Sequence, residues 1–238
     1  RSVVDAALYL DCTAGDHPAD PYSLPRPGRP FLSRIDGLPD NLTIAFSPDL
    51  GYARVEKDVT ACARKAAGAF EEMGHHLELW TETLPDTAEA WMTLICTDIY
   101  AQIAGILPAH RSALGRTLVA TVEKTRSITV ADIDRFQKLR LELNRLLDTL
   151  FERYDLLLTP TMPTEAFAAG GPPPAVIDGE RVPLLGAVAF TYPFNLSGHP
   201  AATVPAGMTS NGLPAGIQIV GPRHRDDRVL QAARAYEK

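Results

Sequence analysis

The chain has 238 residues, 45% hydrophobic and 22% charged, enough to bury the core of one large domain or two small ones. A formal charge of -6 with dispersed basic residues excludes the footprint of a nucleic-acid binder. No run approaches the roughly 20 apolar residues of a membrane span and no basic-then-apolar leader opens the chain, so no membrane partner is expected.

The predicted elements follow in order. Ser2 and Asp5 form a capping-box pattern ahead of Ala6, Ala7, Leu8 and Leu10, which predicts a helix over 2–14 ended by Gly15. So abrupt a helical start is the expectation for the remainder of a longer polypeptide, a tidy terminus being the alternative. Residues 16–40, dense in Pro and Gly, read as a surface loop. A strand over 42–46, a turn at 47–51, an amphipathic helix over 56–73 and a strand over 76–80 make a βαβ-type unit. Asp86 and Glu89 suggest a second capping box. The helix behind it, 90–103, is apolar nearly all round, with Trp91, Met92, Leu94, Ile95, Ile99 and Ile103, so it is either buried or lines a cavity.

Thr129 and Asp132 cap a long helix to 154, with an apolar stripe through Ile133, Phe136, Leu143, Leu146, Leu147 and Leu150. Leu156-Leu157-Leu158-Thr159-Pro160 suits an interior strand. Residues 168–183 are a second Gly- and Pro-rich surface loop, and 184–190 a short helix or turn beneath the sheet. Runs at 202–204 and 215–220 flank Ser210-Asn211-Gly212, a strong hairpin signal. Residues 195–200 read as a polar, punctuated loop, the kind of segment that carries function on a rigid scaffold. Asp226 and Asp227 open a last helix to 236, with Val229, Leu230 and Ala233 inward.

Chemistry-bearing motifs are few. Ser197 near His199 lacks the G-x-S-x-G context of a nucleophile elbow. His75 and His76 have no ligand partner at helical spacing and read as a surface pair. Gly170-Gly171 is followed by three prolines, which cannot offer the backbone N–H groups of a phosphate cradle. The pattern therefore names no catalytic residue, no metal and no cofactor. Cys12, Cys62 and Cys96 form no C-x-x-C pair and sit in helical or apolar contexts, as buried thiols of a reducing, cytoplasmic compartment do.

Six segments together are more specific: Arg1-Ser2-Val3-Val4-Asp5-Ala6-Ala7, Gly15-Asp16, Leu158-Thr159-Pro160-Thr161-Met162-Pro163, Pro193-Phe194-Asn195-Leu196-Ser197-Gly198-His199-Pro200-Ala201, Val204-Pro205-Ala206-Gly207, and Gly212-Leu213-Pro214-Ala215-Gly216-Ile217-Gln218-Ile219-Val220-Gly221. In order and spacing they resemble the amidase signature family over essentially the whole chain. The resemblance implies an α/β fold, a mixed β-sheet flanked by helices, here its C-terminal part, with 1–238 a single partial amidase domain. It also implies amide hydrolysis by a serine nucleophile, a second serine in a cis peptide and a lysine base.

This sequence has no Ser-Ser dipeptide and no Gly-Ser-Ser-Gly segment, and its five lysines lie in charged helices or helix ends. In the family those elements precede the segment that Arg1 begins. The expected partners are a small-molecule amide and a missing N-terminal half or a second copy in a homodimer, and a non-catalytic binding remnant or one half of a split amidase is the rival expectation. The resemblance places Thr191, Tyr192, Phe194 and Asn195 on the substrate-pocket wall, with Met92 and Ile95 as lesser candidates. Val188 stands where the family's glutamine-specific branch usually carries Asp, which favours a general amidase.

Overall fold

Five consecutive buried residues make Leu156–Pro160 (β3) the centre of the sheet rather than an edge. The computed structural model describes residues 2–20 and 22–238. Arg1, which opens the first motif, and Pro21, within the 16–40 loop, lie outside the described residues. The remaining strands are Thr43–Phe46 (β1), His76–Leu79 (β2), Val176–Ile177 (β4), Glu180–Arg181 (β5), Ala201–Met208 (β6) and Pro214–Val220 (β7). Five of them form one sheet in the order β2-β1-β3-β7-β6. β1 runs parallel to β2 and β3, whereas β7 is antiparallel to β3 and β6, so the sheet is mixed. β4 and β5 make a separate ribbon within the Gly- and Pro-rich stretch 168–183.

The helices are Val3–Thr13 (α1), Lys57–Glu72 (α2), Ala88–Ile103 (α3), Leu107–His110 (α4), Arg116–Thr125 (α5), Val130–Arg153 (α6), Tyr192–Ser197 (α7) and Asp226–Glu237 (α8). Strand alternation sends the two sets of side chains to opposite layers. Ile44, Phe46, Leu156, Leu158, Ile217 and Ile219 meet α2 and α8 through Ala63, Ala67, Phe70, Val229, Ala232 and Ala233. Ala45, Leu157 and Val220 meet α6 and α7 through Leu143, Leu147, Leu150, Phe194 and Leu196. The result is a helix-sheet-helix sandwich.

At the edge strand β6, a hydrogen bond from the Gly221 amide to the Pro200 carbonyl sets the ladder's alternation. The backbones of Ala202 and Val204 therefore face β7, and those of Ala201, Thr203 and Pro205 face away. The Pro205 carbonyl accepts from the Tyr236 hydroxyl at 3.0 Å, and a bulge interrupts the register between Pro205 and Gly207.

Four expectations are corrected. The helix at 86–89 has no capping box: Thr87 is the N-cap without a side-chain bond, and Asp86 accepts instead from the Ala88 amide at 3.0 Å and from a tyrosine hydroxyl described below. Residues 195–200 are not all loop, because α7 runs through Ser197, its start fixed by Pro193 in the first turn and its turns buried through Tyr192, Pro193, Phe194, Leu196 and Ser197. His75 is buried rather than part of a surface pair, its Nδ1 accepting the Leu42 amide at 3.3 Å. Cys12 is exposed, since α1 lies outside the sandwich against α8; Cys62 is half-buried and Cys96 buried. Helices α4 and α5 occupy a stretch to which no element was assigned from the sequence, and α5 packs on α3 through Val119 and Val122.

Candidate functional site

Residues 188–199 are held by hydrogen bonds to three successive carbonyls. The Val188 carbonyl accepts from the Thr191 amide and hydroxyl, each at 3.1 Å. The Ala189 carbonyl accepts from the Tyr52 hydroxyl at 2.6 Å. The Phe190 carbonyl accepts from Gln218 Nε2 at 2.9 Å, and the same amide nitrogen donates to Thr159 Oγ1 at 3.1 Å. Gln218 can do this because the hairpin sets β7 beside β3 with Gln218 opposite Thr159. Buried carbonyls are costly when unpaired, so these bonds fix the segment's path onto the sheet.

The segment then turns into α7, whose end is closed by Gly198 at φ 74 with its amide donating to the Phe194 carbonyl at 2.9 Å. Tyr192, at the start of α7, donates its hydroxyl to Asp86 Oδ1 at 2.8 Å and so ties α7 to the entry of α3. Tyr52 lies against it. Burial first, then the neighbouring Tyr52 and Asp86, push the Tyr192 phenol well above the ordinary tyrosine range. Burial likewise raises Tyr52. Both phenols therefore remain protonated donors at neutral pH.

At the other end of α7, Ser197 Oγ lies 2.9 Å from His199 Nδ1, and the imidazole stacks on Phe151 with ring centroids 5.3 Å apart. Ser197 is wholly buried and His199 is 6% exposed. Burial, reinforced by Arg223 and His224, lowers the His199 pKa to about 4. The imidazole is neutral at pH 7, in a position with little access to solvent.

The residues expected on a pocket wall separate by exposure. Phe194 packs in the core beneath the helix and Tyr192 is buried with its hydroxyl bonded to Asp86, whereas Thr191 is half-buried and Asn195 is exposed. Met92 lines a cavity of about 450 Å³ beside α3, and Ile95 is half-buried on the same helix. The cavity is bounded by α3, by the junction of α5 and α6, and by Pro183, Leu184 and Leu185 just ahead of the anchored segment. Tyr52, Asp86 and Gln218 escaped sequence reasoning. Of these, Asp86 carried only a helix-cap signal and Gln218 only that of an amide between isoleucines in a buried strand.

The class these features define is a mixed-sheet α/β protein that presents one rigidly tied segment beside a cavity of small-molecule size. The amidase family model matches residues 1–230, and the chain belongs to the amidase family. It is 32% identical to an acylamidase of Rhodococcus erythropolis, over 100% of this chain and 50% of that protein. It is 30% identical to a 6-aminohexanoate-cyclic-dimer hydrolase of a Pseudomonas strain, over 100% of this chain and 52% of that one. A solved bacterial aryl acylamidase of the amidase signature family superposes with a TM-score of 0.86 at 31% identity, covering all of this chain and 51% of its own. The chain spans about half the length of the relatives it matches. No helix among the described residues is long and apolar enough to cross a membrane.

Proposed function

We propose that this chain is the substrate-side half of an enzyme that hydrolyses a carboxylic amide to an acid and ammonia or an amine. The observation that carries the reading is the end-to-end correspondence, at 32% identity, with an acylamidase twice as long. In this reading the reacting serine, its partner serine and the lysine base lie outside the sequence, which contains no Ser-Ser dipeptide. A serine hydroxyl needs an adjacent base to become a nucleophile and backbone donors to hold the developing oxyanion. The chain's own part is positional: Thr191 and Asn195 face the substrate, and Tyr192 and Phe194 hold them in place. The half-buried Val188 side chain offers no carboxylate for a substrate amine, which supports a general amidase over a glutamine-specific one. Free cysteines, one exposed, support a reducing cytoplasm.

The purified chain alone is expected to hydrolyse no aryl or aliphatic amide, and co-expression with a polypeptide carrying the Lys and Ser-Ser segment is expected to restore turnover. Hydrolysis by the chain alone, abolished by Ser197→Ala, would overturn the assignment. Light scattering tests for a homodimer. The rival reading, a non-catalytic binding remnant, predicts a soluble chain that no such complement activates.

A further inference from the structure

Asn211 is the only asparagine in the sequence that glycine follows. It stands at the tip of the β6–β7 hairpin, exposed together with Ser210 and Gly212. Gly212 has φ 74, the left-handed conformation such turns ask of glycine, and no atom lies within 4 Å of where a Cβ would stand. Below the tip the loop is closed by Thr209, whose amide donates to the Leu213 carbonyl at 2.9 Å and whose hydroxyl accepts from the Leu213 amide at 3.3 Å. The Gly212 amide donates to the Thr209 carbonyl at 3.0 Å. That bond can open while the Thr209–Leu213 pair keeps the two strands in register.

A Gly212 nitrogen freed in this way lies at the spacing that closes a succinimide ring on the Asn211 side chain, and glycine adds no side chain to block the approach. Its attack on Asn211 Cγ forms one C–N bond and breaks another. The side-chain nitrogen leaves as ammonia, taking the Gly212 amide proton. Water then opens the ring, giving aspartate if it adds at the side-chain carbonyl and isoaspartate if it adds at the main-chain one. Nothing is oxidised or reduced. The other asparagines, Asn41, Asn144 and Asn195, are followed by Leu, Arg and Leu. Asn144 and Asn195 lie inside α6 and α7, and the Leu42 amide after Asn41 donates to His75 Nδ1 at 3.3 Å.

The change of charge falls beside a carboxylate. Asn211 Nδ2 donates to Glu165 Oε2 at 3.1 Å, and Glu165 Oε1 is buried with no hydrogen-bond partner among the described residues. The Glu165 amide donates in turn to Glu56 Oε2 at 2.9 Å, and the Thr164 hydroxyl to Glu56 Oε1 at 2.7 Å. A carboxylate at position 211 replaces a donor by a like charge next to this pair of acids. We infer that Asn211 is a site of spontaneous deamidation, with water as its only reagent, and that the carboxylate formed there releases the hairpin tip from Glu165. Ser210 is held elsewhere, its amide and hydroxyl both donating to Asp58 in the first turn of α2. The tip therefore stays on α2 while it parts from Glu165.

The test keeps the purified chain at mildly alkaline pH and maps its peptides by mass over time. The Asn211 peptide should gain the mass that separates a carboxylic acid from its amide several-fold faster than the peptides holding Asn41, Asn144 and Asn195, and Asn211→Gln should remove the gain. Asn211→Asp reproduces one product directly: hydrogen exchange of the amides at 210–212 should rise several-fold while exchange in β3 and β7 stays as it was. Adding Glu165→Gln to Asn211→Asp turns the repulsion back into a hydrogen bond and should return the tip toward its original exchange rate. An Asn211 that survives as long as the other three asparagines overturns the site. Unchanged exchange in Asn211→Asp, a rise spread over the whole sheet, or a rise that Glu165→Gln leaves in place overturns the release.

Discussion

The two ends of α7 present similar chemistry in opposite settings. At its start a tyrosine hydroxyl reaches a carboxylate two residues ahead of α3, beside an open cavity. Past its end a serine hydroxyl meets an imidazole two residues on, sealed under Phe151. Residue types alone favour the second as a reactive site, because Ser and His form the pairing of known hydrolases. Access reverses that preference. A nucleophile with no exposed surface meets no substrate, whereas the tyrosine tether ends on an exposed carboxylate two residues ahead of Ala88 on the cavity lining.

The largest expected effect strikes both ends at once. Phe194→Ala removes the ring under the middle of α7 and should cost about 3–5 kcal/mol in urea unfolding, loosening the tyrosine and histidine ends alike. A smaller loss would mean that α7 is held by its hydrogen bonds rather than by packing.

Acid should break the sealed end selectively. His199 titrates near 4 in the fold against 6.5 ordinarily, so the unfolded chain takes up the proton first. The contribution is fully present above about pH 6.5 and is lost as pH falls toward 4, by about 3 kcal/mol. Urea midpoints at pH 7 and pH 4.5 measure it, and His199→Gln should flatten much of the difference. Burial also depresses the His75 pKa, so part of the acid sensitivity should survive in that variant.

Gln218→Leu leaves the buried Phe190 carbonyl without its donor and should cost about 1–3 kcal/mol by chemical denaturation. Tyr192→Phe removes one bond to an exposed carboxylate and should cost about 1 kcal/mol, with Met92 methyl shifts reporting how far the loss spreads along α3. Asn195→Ala should change stability by less than about 0.5 kcal/mol. It sharpens the comparison only in a complemented enzyme, where it should lower kcat/KM for an anilide while leaving the urea midpoint unchanged.

The sheet was legible because its strands carry unambiguous patterns. Leu156 to Pro160 is uninterruptedly apolar, and Asn211-Gly212 sits between two strand-forming runs, so β3 and the hairpin fell where the pattern placed them. The cap at Thr129 and Asp132 held, while the matching pattern at Asp86 did not, because Asp86 serves a tyrosine 106 residues away in sequence. Local spacing cannot reveal such a partner. The same limit hid Tyr52, whose acceptor Ala189 lies 137 residues on, and Gln218, whose role exists only once β7 lies against β3. It also misdirected the reading of 195–200, where Asn, Ser and Gly suggest a loop although the residues around them bury a helical face. The apolar girth of α3 left burial and cavity lining both open with ordinary core the favoured reading, and the fold buries only Ala90 and Cys96 of that helix while Met92 lines a cavity.

The outer rim of β6 also governs how this sheet can be extended. Of the three backbones turned away from β7 ahead of the bulge, only Ala201 and Thr203 offer an amide; Pro205 has none, and its carbonyl already serves Tyr236. An added strand would find donors at one end, then a proline, a committed carbonyl and a bulge that swings the rim aside. A strand added along this rim would find its ladder only at Ala201 and Thr203 and lose it at Pro205. That restriction protects eight uncharged residues from indiscriminate strand pairing.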